Sequence, residues 1–251
     1  MNLVKKIILI FLILIAHLSF SYYMFNDWWY SSLGTALIIF LAYLAWPKKF
    51  QEILGIMVTR NKMMVGIVLA VGTAIGAYYL MDAIARPAGI QIILGNILNL
   101  YHTMFYTLNE ELIVGAMLIY GLRSAFKKMP PIYIAVMLAI IFSAFHYLAY
   151  AYIFPDTNRG YLSLVTLISV FNVGVIRNNL IITSRHVGYS WAIHFGWMVI
   201  MFGSVHQRSE SGQLLVESEC FNMYLGSFDM CIISSVLMVL SFLLYKRKRD
   251  F

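Results

Sequence analysis

Residues 131–153 read PIYIAVMLAIIFSAFHYLAYAYI. Apart from its tyrosines, the run contains one ionisable side chain, His146. Coiled as an α-helix it extends roughly 34 Å, enough to cross the ~30 Å hydrocarbon core of a bilayer. Similar runs recur along the chain, at roughly 7–25, 30–46, 64–82, 103–122, 161–177, 188–205 and 229–245, each near the ~20 residues that a spanning helix needs. The reading is an all-α polytopic membrane bundle of about eight helices. Residues 1–251 form one integral membrane domain, with N-terminal helices in 1–85, a chemistry-bearing core in 100–205 and a last span at 229–245. Residues 86–102 are amphipathic and carry Pro87, Gly89 and Gly95, which suits either an interfacial helix or a re-entrant piece.

Composition agrees. Of the 251 residues, 61% are hydrophobic and only 12% are charged, giving a mean hydropathy of +0.79. An ordinary soluble chain is about 45–50% apolar and ~25% charged. Two cysteines, Cys220 and Cys231, make no disulfide framework. The first apolar run follows Lys5 and Lys6 but lacks a clear small-residue cleavage site, so it reads as a retained anchor.

The net charge of +7 marks topology rather than nucleic acid. In the eight-span reading, fifteen of the eighteen Lys and Arg residues, Arg177 among them, fall on one face. Arg86, Arg159 and Arg208 fall on the other. The positive-inside rule puts both termini in the cytoplasm of a plasma (inner) membrane protein. The expected partners are the lipid bilayer and a peptide or protein at the membrane, with no nucleic acid. The 206–228 loop, with Glu210, Glu217 and Glu219, is then external and reads as a connector.

Ionisable groups inside spans are expensive and usually functional. Here they are Glu110 and Glu111 in the fourth span, His146 in the fifth and His194 in the seventh, with Asn172 in the sixth and His102 just before the fourth. Neighbouring helix positions point ~100° apart, so one carboxylate faces a cavity while the other is held by a neighbouring helix. Phe142 and His146, four residues apart, share one side of their helix. A buried carboxylate or a neutral imidazole can accept a proton from water. Counted from the span ends, Glu110, Glu111 and His146 fall in the outer half, His146 at ~22 Å from the inner edge, while His194 lies deeper by ~13 Å.

At these residues the chain resembles the glutamate-type intramembrane proteases that include the CAAX prenyl endopeptidases and the bacteriocin-processing and immunity proteins. That family's pattern is Glu-Glu-x-x-x-Arg, then Phe-x-x-x-His, then His-x-x-x-Asn or Asp. The matching stretches here are Glu110-Glu111-Leu112-Ile113-Val114-Gly115, Phe142-Ser143-Ala144-Phe145-His146 and His194-Phe195-Gly196-Trp197-Met198, the last preceded by Ser190-Trp191-Ala192-Ile193. The resemblance covers about residues 100–205. Gly115 stands where the family carries Arg, and Met198 where it carries Asn or Asp.

The resemblance implies a metal-independent peptide hydrolase that needs no cofactor. In it Glu110 or Glu111, with His146, activates water, and His194 stabilises the oxyanion with Asn172 as replacement for the missing polar residue. An outward-facing site suits a membrane-anchored peptide or a C-terminal sorting tail better than a cytoplasmic prenylated tail. Three other readings use the same groups: a His and carboxylate zinc site, a proton-relaying transporter, and an inactive immunity or scaffold protein.

Overall fold

The computed structural model describes residues 29–48, 50–55, 59–154 and 159–249, together with Ile8, Leu12 and Ile15. Most of the expected first span, Lys5, Lys6, Lys49 and Trp28 lie outside the described residues. The described chain is helical apart from one two-stranded ribbon and its connections.

Helix α1 covers Trp29–Ala45 and α2 covers Phe50–Leu54. Helix α3 covers Arg60–Ala85 and ends in a 3-10 turn, Arg86–Ala88. Strand β1, Ile90–Ile93, follows. Helix α4 covers Ile97–Glu110, continues without a break as a π-helical stretch, Glu111–Met117, and resumes as α5, Leu118–Ala125. Helix α6, Pro131–Leu148, likewise runs into a π-helical turn, Ala149–Ile153. Helix α7 covers Leu164–Ser184 and α8 covers Val187–Met201. Strand β2, Val205–Arg208, precedes α9, Glu217–Tyr224, and α10, Phe228–Arg249.

Local chemistry sets the boundaries. The Asn96 carboxamide oxygen accepts from the backbone N–H groups of Leu98 and Asn99 at 2.9 and 3.1 Å and so caps α4. Ser163 Oγ accepts from Thr166 N–H at 3.1 Å and caps α7. Pro131 opens α6, where its missing N–H has no helical partner to lose. Arg185, in the left-handed region at φ 53°, closes α7, and the His186 ring nitrogen Nδ1 caps α8 by accepting from Gly188 N–H at 3.1 Å.

Among the described residues four helical segments are long and apolar enough to cross a membrane: Arg60–Ala88, Pro131–Ile153, Leu164–Ser184 and Phe228–Tyr245. Helix α8 packs along α3, and α7 lies between α6 and α10. Helix α4 packs on α1 and α8. Polar side chains tie these helices together. Asn109 Nδ2 donates to the Ser31 carbonyl at 2.8 Å, and Ser31 Oγ meets His102 Nδ1 at 2.9 Å. His102 is therefore a contact between α1 and α4.

Three expectations change. Residues 86–102 are a 3-10 turn, a strand and the start of α4, because β1 pairs antiparallel with β2, Ile90 opposite Arg208 and Ile93 opposite Val205. The 206–228 segment carries β2 and α9 and packs back on the bundle, with Tyr224 and Phe221 buried. Arg177 does not end a span: α7 continues to Ser184, and Arg177 is only 5% exposed. The helix continues because its polar residues after 177 have partners, Asn178 donating to the Ala135 carbonyl at 2.9 Å and Asn179 to Ser241 Oγ at 3.0 Å.

Candidate active site

The two adjacent glutamates sit at the junction between α4 and its π-helical continuation. A π-helix bonds each N–H to the carbonyl five residues back, as Leu118 N–H does to Ile113, and such segments are rare. The carboxylates part there. Glu111, fully buried, turns to α8, where Ser190 Oγ donates to its Oε2 at 2.7 Å and His194 Nδ1 lies 3.0 Å from its Oε1. Glu110, 4% exposed, turns to α7, where Arg177 Nη1 lies 3.5 Å from its Oε1.

His194 Nδ1 carries the proton in this arrangement, since a carboxylate oxygen only accepts. When that ring is neutral, Nε2 is the acceptor. His146 follows the same logic: its Nδ1 is 2.9 Å from the Phe142 carbonyl, which leaves Nε2 as the acceptor. The His146 ring also packs edge-on to Phe142 at 4.3 Å between centroids and to Phe221 of α9 at 5.7 Å.

Glu111, His146, Arg177, Ser190 and His194 line one cavity of about 490 Å³. The rest of its wall is largely apolar, with Gly76 and Leu80 from α3, Val173 and Ile176 from α7, Trp197 and Met198 from α8, and Ile233 and Leu237 from α10. Phe221 of α9 closes part of the same wall. A cavity of this kind, apolar with a few converging polar groups, is the usual form of a small-ligand or substrate site.

The depth mismatch expected between Glu111 and His194 disappears. Helix α4 starts at Ile97, so Glu111 sits midway along the continuous helix from Ile97 to Ala125. His194 sits midway along α8.

Asn172 does not join this group. Its carboxamide donates to Ser234 Oγ at 3.1 Å and Ser235 Oγ at 3.0 Å, which fastens α7 to α10, and it is not among the cavity-lining residues. Arg177 joins it instead. Its guanidinium lies 4.1 Å over the Phe142 ring, and its Nε donates to Asn178 Oδ1 at 3.3 Å. A charge near the end of an apolar run reads as a membrane boundary, which concealed it. The apolar run Leu180-Ile181-Ile182, which resumes after Asn178-Asn179, was the available signal that the helix continues.

Gly115 is closely packed by α7. A Cβ at Gly115 would stand 2.6 Å from Ile181 Cδ1, so Ile181 occupies the space that a longer side chain would need. Ile181 is one turn after Arg177 on α7, and the two share a face. Helix α7 thus fills the space beside Gly115 with Ile181 and brings Arg177 to Glu110.

Among the described residues no group of three or more His, Cys, Asp and Glu side chains is arranged to hold a metal ion. Comparison with protein-family models, with curated proteins and with solved structures finds no match to this chain.

Proposed function

We propose that this chain is a polytopic membrane protein with about eight spans and both termini in the cytoplasm, and that it hydrolyses a peptide bond in a membrane-associated peptide or sorting tail. The observation that carries the reading is the Ser190–Glu111–His194 chain of hydrogen bonds, opening with His146 onto one apolar cavity. The sequence resemblance to glutamate-type intramembrane proteases supports peptide hydrolysis, while it gives the activation of water to a glutamate with His146 rather than to His194.

In this reading a water sits between the Nε2 acceptors of His194 and His146. Its oxygen attacks the peptide carbonyl carbon and one proton passes to His194 Nε2. Glu111 holds the imidazole in the required tautomer and stabilises the imidazolium that forms. Ser190 holds the other Glu111 oxygen, so the carboxylate keeps one orientation. When the tetrahedral adduct collapses, the C–N bond breaks and His194 returns the proton to the departing nitrogen. The products are a carboxylic acid and an amine.

The test compares cells lacking the chain, cells carrying the wild type and cells carrying His146→Ala, with protein termini in envelope and secreted fractions read by mass spectrometry. New termini that require His146 are expected. Identical termini at equal protein levels would reject hydrolysis and favour a scaffold or transport role.

A further inference from the structure

A water held between two imidazole acceptors leaves the carbonyl oxygen of a bound peptide in need of a donor. Most donors on the cavity wall are committed elsewhere. His146 Nδ1 is 2.9 Å from the Phe142 carbonyl, and His194 Nδ1 is 3.0 Å from Glu111. Ser190 donates to Glu111, Trp197 Nε1 to Met201 Sδ at 3.1 Å, and Ser234 Oγ to the Cys231 carbonyl at 3.1 Å. The Arg177 Nε is used by Asn178, and both its Nη nitrogens are sealed from solvent.

Thr73 of α3 differs. It lines the cavity on one stripe with Gly76, Ala77 and Leu80, three, four and seven positions further along the helix. Inside the other described helices Thr35, Thr103, Thr107 and Thr183 each donate to the carbonyl four residues back, and Thr166 donates to Asn222. Thr73 has no hydrogen-bond partner among the described residues. Ser169 Oγ also lacks one but is sealed, whereas Thr73 Oγ1, on a partly buried residue, keeps accessible surface. A hydroxyl without a partner is costly at membrane depth. Gly196 of α8 fixes its place. A Cβ there would meet the Ala70 carbonyl and stand 3.0 Å from Thr73 Cβ, so the glycine lets α3 approach the turn of α8 that carries His194 and Trp197.

We propose that Thr73 Oγ1 donates to the oxygen of the carbonyl under attack, making Thr73 a catalytic residue of the cavity. The inference rests on the peptide-hydrolase reading and deepens it. As the water oxygen bonds to the carbonyl carbon, the C=O π pair moves onto oxygen, and the charge that develops there accepts a hydrogen bond from the Thr73 hydroxyl. The pair returns when the C–N bond breaks, and the hydroxyl keeps its proton throughout. A donor that stands free in a largely apolar cavity has no other bond to give up when that charge forms.

The test uses the full chain in lipid nanodiscs and two probes, an N-acetylated trileucine aldehyde and the matching alcohol. The alcohol offers one hydroxyl, for the place of the attacking water. The aldehyde hydrate adds a second, at the place of the carbonyl oxygen. Wild type is expected to bind the aldehyde about tenfold or more tightly than the alcohol. Thr73→Val keeps the shape and loses the hydroxyl. It should lower that preference by about fivefold, the scale of one hydrogen bond, while the alcohol Kd stays unchanged. Thr73→Ser keeps the hydroxyl and should hold the wild-type preference. Thr73→Ala removes the hydroxyl with less bulk and decides the point where the Val variant does not fold. A preference that survives loss of the hydroxyl, or that falls as far in Thr73→Ser, overturns the role of Thr73; its loss in Glu111→Gln would then leave the hydrolase reading standing. No aldehyde preference in the wild type overturns the hydrolase reading, and this inference with it.

Discussion

His194 Nδ1 lies 3.0 Å from Glu111 Oε1, although 83 residues separate them. The contact joins the midpoint of one helix to the midpoint of another. An imidazole held this way has one tautomer and one orientation.

Removing the charge from that pair is the most direct check on the mechanism. Glu111→Gln keeps the shape and loses the acceptor charge, so cleavage should fall by about 10⁴-fold, the scale expected when the carboxylate that orients a catalytic imidazole becomes an amide. Ser190→Ala leaves the charge and removes one of its hydrogen bonds; a smaller fall, about tenfold, is expected, near the ~1 kcal/mol of a typical hydrogen bond. Rates on a substrate found by terminal mass spectrometry, with protein level measured alongside, decide both.

An arginine at position 115 should destabilise the protein. The new Cβ meets Ile181 Cδ1 at 2.6 Å, and overpacking of this kind costs about 1–3 kcal/mol. Gly115→Arg combined with Ile181→Ala should recover part of the loss. Thermal melts in detergent would show it; an unchanged Tm in the single variant contradicts the packing.

The Glu110–Arg177 pair should behave as a buried unit. Arg177→Met leaves the Glu110 carboxylate buried beside an apolar chain, a change that typically costs about 3–5 kcal/mol. Adding Glu110→Gln removes the stranded charge, and the double variant should melt higher than Arg177→Met alone. A double variant that melts lower still would show that the two groups stabilise the fold independently.

Asn172→Ala separates a structural role from a catalytic one. Its two bonds to α10 predict a modest loss, about 0.6 kcal/mol for an average interhelical hydrogen bond in a membrane. Cleavage per folded molecule should match the wild type. A large fall in that quantity would return Asn172 to the site.

Acidity should act through Glu217, which lies on α9 outside the four long apolar segments. Burial pushes its carboxyl up to about 8, against the opposing hydrogen bond that Tyr150 Oη donates to Oε2 at 3.0 Å. The unfolded group titrates near ~4.3. Between those values the folded state holds a proton that the unfolded state has lost, so stability should fall as pH rises from about 4 to about 8. Tm measured across that range should decline for the wild type, and Glu217→Gln should flatten the decline.

The spans at 131–153 and 229–245 were legible because apolar length alone defines them, and the structure returns Pro131–Ile153 and a helix from Phe228. Glu110, Glu111, His146 and His194 were legible for the opposite reason: charge in an apolar run has to be accounted for. What the sequence concealed depended on partners distant in the chain. β1 is a strand only because β2, more than a hundred residues later, pairs with it. Asn172 looked like a site residue until the two serines of α10 supplied its acceptors. Arg177 looked like a boundary until α7 was seen to run another two turns beyond it.

The contact between Gly115 and Ile181 ties the Glu110–Arg177 pair to the size of a residue that touches neither of its charges. Ile181 lies one turn after Arg177 on the same face of α7. A bulkier residue at 115 would push on that face and so alter the separation of the two charges. Position 115 would then tune an ion pair by volume alone.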